Sequence, residues 1–181
     1  MTAPTTPASA PLIPPPPDFW AAGQNHYHAA RLSADRQLSV AADHLAGLAA
    51  ECAIKAILLA YLGSQLSTKS KPFNPALKRP PQQPAPGAKE KPQPPKEYEH
   101  GHLPELWSQL AEVVKLSTGR QIGPVFQQML QQNPFRSWHV AGRYCNGTSI
   151  SAADLQGHLK AAYDLIAAFE YARQTGTGTL R

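Results

Sequence analysis

The chain has 181 residues, enough for one ordinary domain, but 19 are proline and only 8% are aromatic, so part of it cannot join a packed core. Most of its +5 formal charge lies between Ser64 and His100, where seven Lys/Arg stand against three acids. A charge confined to one insert gives salt-sensitive attraction to polyanions but no geometry for reading a nucleic-acid sequence. Cys52 and Cys145 lack the paired spacing of a zinc site or a disulfide framework and are expected to be free thiols. With no basic leader and no uninterrupted apolar run of bilayer length, the expectation is a soluble cytoplasmic protein without a membrane partner.

Residues 1–17, MTAPTTPASAPLIPPPP, read as a disordered or polyproline II tail, because proline removes backbone donors and small polar residues bury little. Asp18 follows four prolines and is placed to cap a helix from Phe19 to about Leu32. After a break at Ser33–Asp35, a long helix is predicted from Arg36 to Tyr61, ending at Gly63, whose tolerance of positive φ suits a helix stop. This helix carries Leu45, Leu48, Cys52, Ile54, Ile57, Leu58 and Leu62 at helical spacing, interrupted by two charges. Those charges, Glu51 and Lys55, stand four apart with the acid first, the favourable order for a pair on one helix face.

The stretch from about 64 to 100 holds nine prolines and is predicted to be a disordered Pro/Lys-rich insertion, neither helix nor central strand. Order resumes near His102, where Leu103, Leu106, Trp107, Leu110, Val113 and Val114 describe an amphipathic helix. A shorter helix carries Ile122, Val125, Phe126, Met129 and Leu130, and Pro134 closes it. The last helix starts at Ser151, with Asp154 three residues on as a near capping box, and runs to about Gln174 before Gly176. No segment alternates with period two. The fold class predicted is therefore all-α, an antiparallel bundle of four to five helices over residues 18–175, followed by a short tail at 176–181.

Three segments in order resemble the HEPN superfamily of small helical domains. LAGLAAECAIKAILL (45–59) is similar to the family's long helix with its Glu and Lys, and GHLPELWSQL (101–110) resembles the helix that opens with His. SWHVAGRY (137–144) resembles the Trp and Arg-Tyr segment before the last helix. The resemblance implies a helical domain of prokaryotic toxin–antitoxin, phage-defence or RNA-processing systems, a homodimer, and a partner protein from a neighbouring gene, with RNA or a nucleotide as a possible ligand. The family's metal-independent ribonuclease activity depends on an Arg followed by His after four to six intervening residues. No Arg here meets that spacing: Arg36 reaches His44 across seven residues, and Arg143 meets no His before His158. The resemblance then implies a non-catalytic module.

His139 and Arg143 remain the candidate catalytic pair, since on a helix they share a face and supply a proton carrier and a phosphate-steadying cation. In the structural alternative Arg143 pairs with Glu51, Lys55 is a second partner for that carboxylate, and Trp138 is core, because a carboxylate on so apolar a helix is either exposed or partnered. If the site is open instead, Glu51, Lys55, His102, Arg143 and Tyr144 form a polar cluster able to hold a nucleotide or phosphate. No metal or cofactor is expected. His26 and His28 point to different helix faces, and His100 and His102 lack a third ligand. A third reading, a helical adaptor whose proline tracts recruit a partner domain, rests on composition alone.

Overall fold

The computed structural model describes residues 15–78, 97–117 and 122–180, and within them the chain is mostly helical. Helix α1 spans Phe19–Asp35 and is capped by Asp18, whose carboxylate accepts from the Ala21 amide at 2.9 Å. The break falls three residues later than the Ser33–Asp35 expected, where Gln37 takes positive φ, and α2 follows over Ser39–Tyr61. Gly63 is also left-handed, as its place after the helix requires. Helices α3 (Glu105–Leu116) and α4 (Pro124–Leu130) come next, then a 3-10 turn at Val140–Tyr144. Helix α5 covers Ala152–Thr175, with the Ser151 hydroxyl accepting from the Asp154 amide and a left-handed Gly176 ending it.

Helix α2 is the centre of the molecule. It touches α1, α5, α3 and the 3-10 turn, and Ala46, Ala49, Ala50, Ala53, Ile54, Ile57 and Leu58 are fully buried along it. Its alanines permit close approach: Gly23 of α1 lies against Cys52, Ala49 and Ala53. By length and hydropathy α2 would reach across a bilayer, but 61% of its apolar window is buried within the protein. Aromatic rings close the two ends of the core. Trp20 stacks on Phe169 at 4.2 Å, and Phe135 lies between Trp107, Trp138 and the imidazole of His158.

The expectation of an all-α chain with a wholly irregular insertion is corrected by a three-stranded antiparallel sheet, β1 (Gln65–Leu66), β2 (Pro72–Lys78) and β3 (Glu97–Glu99), in the order β1-β2-β3. The middle strand holds Pro72 and Pro75, residues that argue against a central strand. Both are accommodated. Pro72 sits at the hairpin end and uses its carbonyl, which accepts from the His100 amide at 2.7 Å, while Pro75 falls where the β2–β3 register is interrupted between Asn74 and Lys78. Residues 1–14 of the tail predicted over 1–17, and the middle of the insertion, 79–96, lie outside the described residues. Beyond α5 the chain folds back: Leu180 is buried, bridges Ile122 and accepts from the Gly123 amide.

Candidate functional site

Four residues apart on α2, Glu51 and Lys55 share a face that points inward, and each residue is less than a tenth exposed. Lys55 Nζ donates to Glu51 Oε1 at 2.7 Å, His102 Nδ1 lies 2.8 Å from the same oxygen, and the Leu103 amide reaches Oε2 at 3.4 Å. The Lys55 ammonium also stands 5.6 Å from the centre of the Phe19 ring. Burial acts to raise the Glu51 carboxyl, but the hydrogen bonds and charges of Lys55 and His102 outweigh it and hold the group below its ordinary range. His102 is the only open member of this trio, with 81% of its side chain exposed. The carboxylate is thus fully partnered and closed off.

Arg143 does not join it. The expected Arg143–Glu51 ion pair is replaced by the Lys55 and His102 contacts. Arg143 is exposed, donates to the Tyr144 hydroxyl at 2.8 Å and lies 4.7 Å above that ring, and Tyr144 is itself 77% exposed. The reason is local: residues 140–144 form a 3-10 turn rather than an α-helix, and His139 precedes it in extended conformation. His139 caps the turn, its Nδ1 accepting from the Ala141 amide at 3.0 Å. The shared helical face assumed for His139 and Arg143 is therefore absent. Trp138 is core, as expected, and its indole donates to the Asp43 carbonyl at 3.2 Å.

Sequence reasoning overlooked three histidine contacts. His158 on α5 meets Asp43 on α2 at 2.6 Å in the interior and the Pro134 carbonyl at 3.0 Å in a part-buried contact. His44 stacks on Trp138, its Nδ1 buried without a partner; burial lowers its basicity, and the nearby charge of Arg143 lowers it further. His100 lies between Ser64 and Gln109, a serine–histidine–amide series with the spacing of a nucleophile and base. All three members are buried and Asn74 also donates to the serine oxygen, so no substrate can approach it. The hint for His158 was a polar residue on an apolar face, between Leu155 and Leu159.

Among the described residues no group of three or more His, Cys, Asp or Glu is arranged to hold a metal ion, and Cys52 and Cys145 are unpaired. Burial pushes the Cys52 thiol up to about 11, the opposite of an activated nucleophile. An open groove runs between α4 and α5, lined by Val125, Met129, Asn133, Gly157, Lys160 and Asp164, and none of the candidate site residues (Glu51, Lys55, His102, His139, Arg143, Tyr144) borders it. Comparison with known proteins finds no family model, no curated protein and no solved structure that matches this chain.

Proposed function

We propose that this chain is a non-catalytic helical module of the HEPN type: an antiparallel bundle centred on α2 that forms a homodimer. In this reading it acts in the cytoplasm with a partner protein in a prokaryotic defence, toxin–antitoxin or RNA-related system. The observation that carries the non-catalytic part is the buried Glu51 carboxylate, which Lys55 and His102 hold on one oxygen, so that it is not free to exchange a proton with a substrate. Exposed Leu32 and Leu38 at the α1–α2 turn supply apolar surface for a protein contact. An RNA-cleavage assay on the purified protein tests the reading. No turnover is expected; cleavage that disappears in Arg143→Ala or His139→Ala would overturn it.

A second reading is a divergent metal-independent ribonuclease or RNA-binding protein using His139 and Arg143. It is favoured by one observation: Arg143 is exposed beside an aromatic ring and close enough to His44 for its charge to be felt there. RNA binding that falls in Arg143→Ala, without cleavage, would favour the binding form of this alternative.

A further inference from the structure

Asn74 in β2, Ser64 after α2, His100 after β3 and Gln109 in α3 form a continuous buried chain of hydrogen bonds. Its direction is fixed by its ends. The Gln109 oxygen receives the Gly101 amide at 3.2 Å, so it is an acceptor, and His100 Nδ1, 3.2 Å away, must carry a proton. At the other end Asn74 Nδ2 donates to the Leu62 carbonyl and to Ser64 Oγ, both at 3.1 Å, while its oxygen accepts from the Ala76 amide. Ser64 is left to donate its own hydroxyl to His100 Nε2 at 2.9 Å. Every proton therefore runs one way, from Asn74 through Ser64 and His100 to Gln109, and the imidazole is neutral.

We propose that this chain is a proton-sensitive latch that fastens the β1–β3 stem to α2 and α3 near neutral pH and releases it on acidification. A proton on Nε2 would give Ser64 Oγ two incoming donors and leave its hydroxyl hydrogen with no acceptor in a buried site, a cost the released stem does not bear. The surroundings offer no compensating charge. From α2 the facing group is the Lys55 ammonium, already paired with Glu51; from α3 and β2 the groups are the neutral Gln109 and Asn74. On its own strand Glu99 is held by Lys71 at 3.2 Å in solvent, and His102, two residues on, is turned to Glu51. Burial above all, with the Lys55 charge in support, lowers the basicity of His100 against the bond to Gln109. The latched form therefore binds a proton less readily than the released form, whose imidazole has the ordinary value of 6.5. Release grows as pH falls below that value, by up to about ten-fold per pH unit.

Amide hydrogen exchange on the full chain, corrected for intrinsic rates, tests this. The amides of His100 and Gly101 are expected to lose protection by up to about ten-fold per pH unit below 6.5, while those of Ile54 and Ile57 hold theirs. His100→Gln keeps an acceptor for Ser64 but cannot titrate, so it should abolish the pH dependence. The same pH dependence in His100→Gln, or none in the wild type, overturns the latch. Should the variant not fold, NMR titration of the wild-type ring decides: a midpoint below 6.5 supports the latch and one at or above 6.5 overturns it.

Discussion

Asp43 Oδ1 sits 2.6 Å from His158 Nδ1, joining the first turns of α2 to the first half of α5 across 115 residues of chain. The other ring nitrogen is 3.0 Å from the Pro134 carbonyl, which can only accept, so Nε2 bears a hydrogen and a further proton lies between Nδ1 and the carboxylate. That arithmetic separates two substitutions. Asp43→Asn can turn an N–H toward a neutral Nδ1 and keep both bonds, and is expected to cost about 1 kcal/mol. Asp43→Ala strands a buried imidazole and should cost about 3 kcal/mol or more. Urea unfolding of the pair checks the ranking; equal losses would mean that the amide does not stand in for the carboxylate at His158.

The Glu51–Lys55 pair governs acid stability. A carboxyl held below its ordinary value binds protons less readily folded than unfolded, so its contribution is complete above about 4.5, the unfolded value, and is lost as pH falls through the folded one. Lys55→Met removes the main influence opposing burial and leaves only the contact with His102 against it. Neutral-pH stability should drop by about 3 kcal/mol, and the acid unfolding midpoint followed by far-UV circular dichroism should move to higher pH. Adding Glu51→Gln should recover part of both losses. No recovery would show that the lysine acts through packing alone.

How far the sequence leads depends on the range of the interaction concerned. The caps at Asp18 and Ser151 and the stops at Gly63 and Gly176 are local chemistry, and all four lie within a few residues of the observed helix ends. The small sheet was not legible, because its prolines oppose a strand locally and its pairing links Phe73 to Glu99 across the insertion. For the candidate site, the spacing of Glu51 and Lys55 foretold their pairing, whereas the partner assigned to Glu51 was wrong. The need of a buried carboxylate for a partner points to Arg143, which instead lies exposed on a 3-10 turn, and His102, grouped with Glu51 only in the open-cluster alternative, is the residue that meets it.

Two helical glycines should respond to alanine with opposite signs. Alanine ordinarily stabilises a helix interior by about 1 kcal/mol over glycine. At Gly157 on α5 nothing lies within 4 Å of the added methyl, so Gly157→Ala should gain about that much. At Gly47 the methyl would overlap the indole of Trp138, which is buried and hydrogen-bonded to Asp43. Gly47→Ala should therefore lose about 1–3 kcal/mol and shift the tryptophan fluorescence. A stabilising Gly47→Ala would mean that the indole is free to move aside.

Arg143 acts on His44 through charge rather than contact. Burial is the larger reason that His44 resists protonation, and the guanidinium adds to it, with His26 a lesser influence of the same sign and Asp43 opposing them. Arg143→Ala should thus raise the His44 titration midpoint, yet leave it below 6.5, because the burial against Trp138 remains. Since Arg143 bonds only to its exposed neighbour Tyr144, the urea midpoint should stay where it is. NMR titration of the His44 ring at low and moderate salt checks both halves of the argument. The wild-type midpoint should rise with salt and the variant's should move less, because Arg143 is the largest of the charges that screening weakens. An unchanged His44 in Arg143→Ala would show that its low basicity comes from the indole and the helix alone.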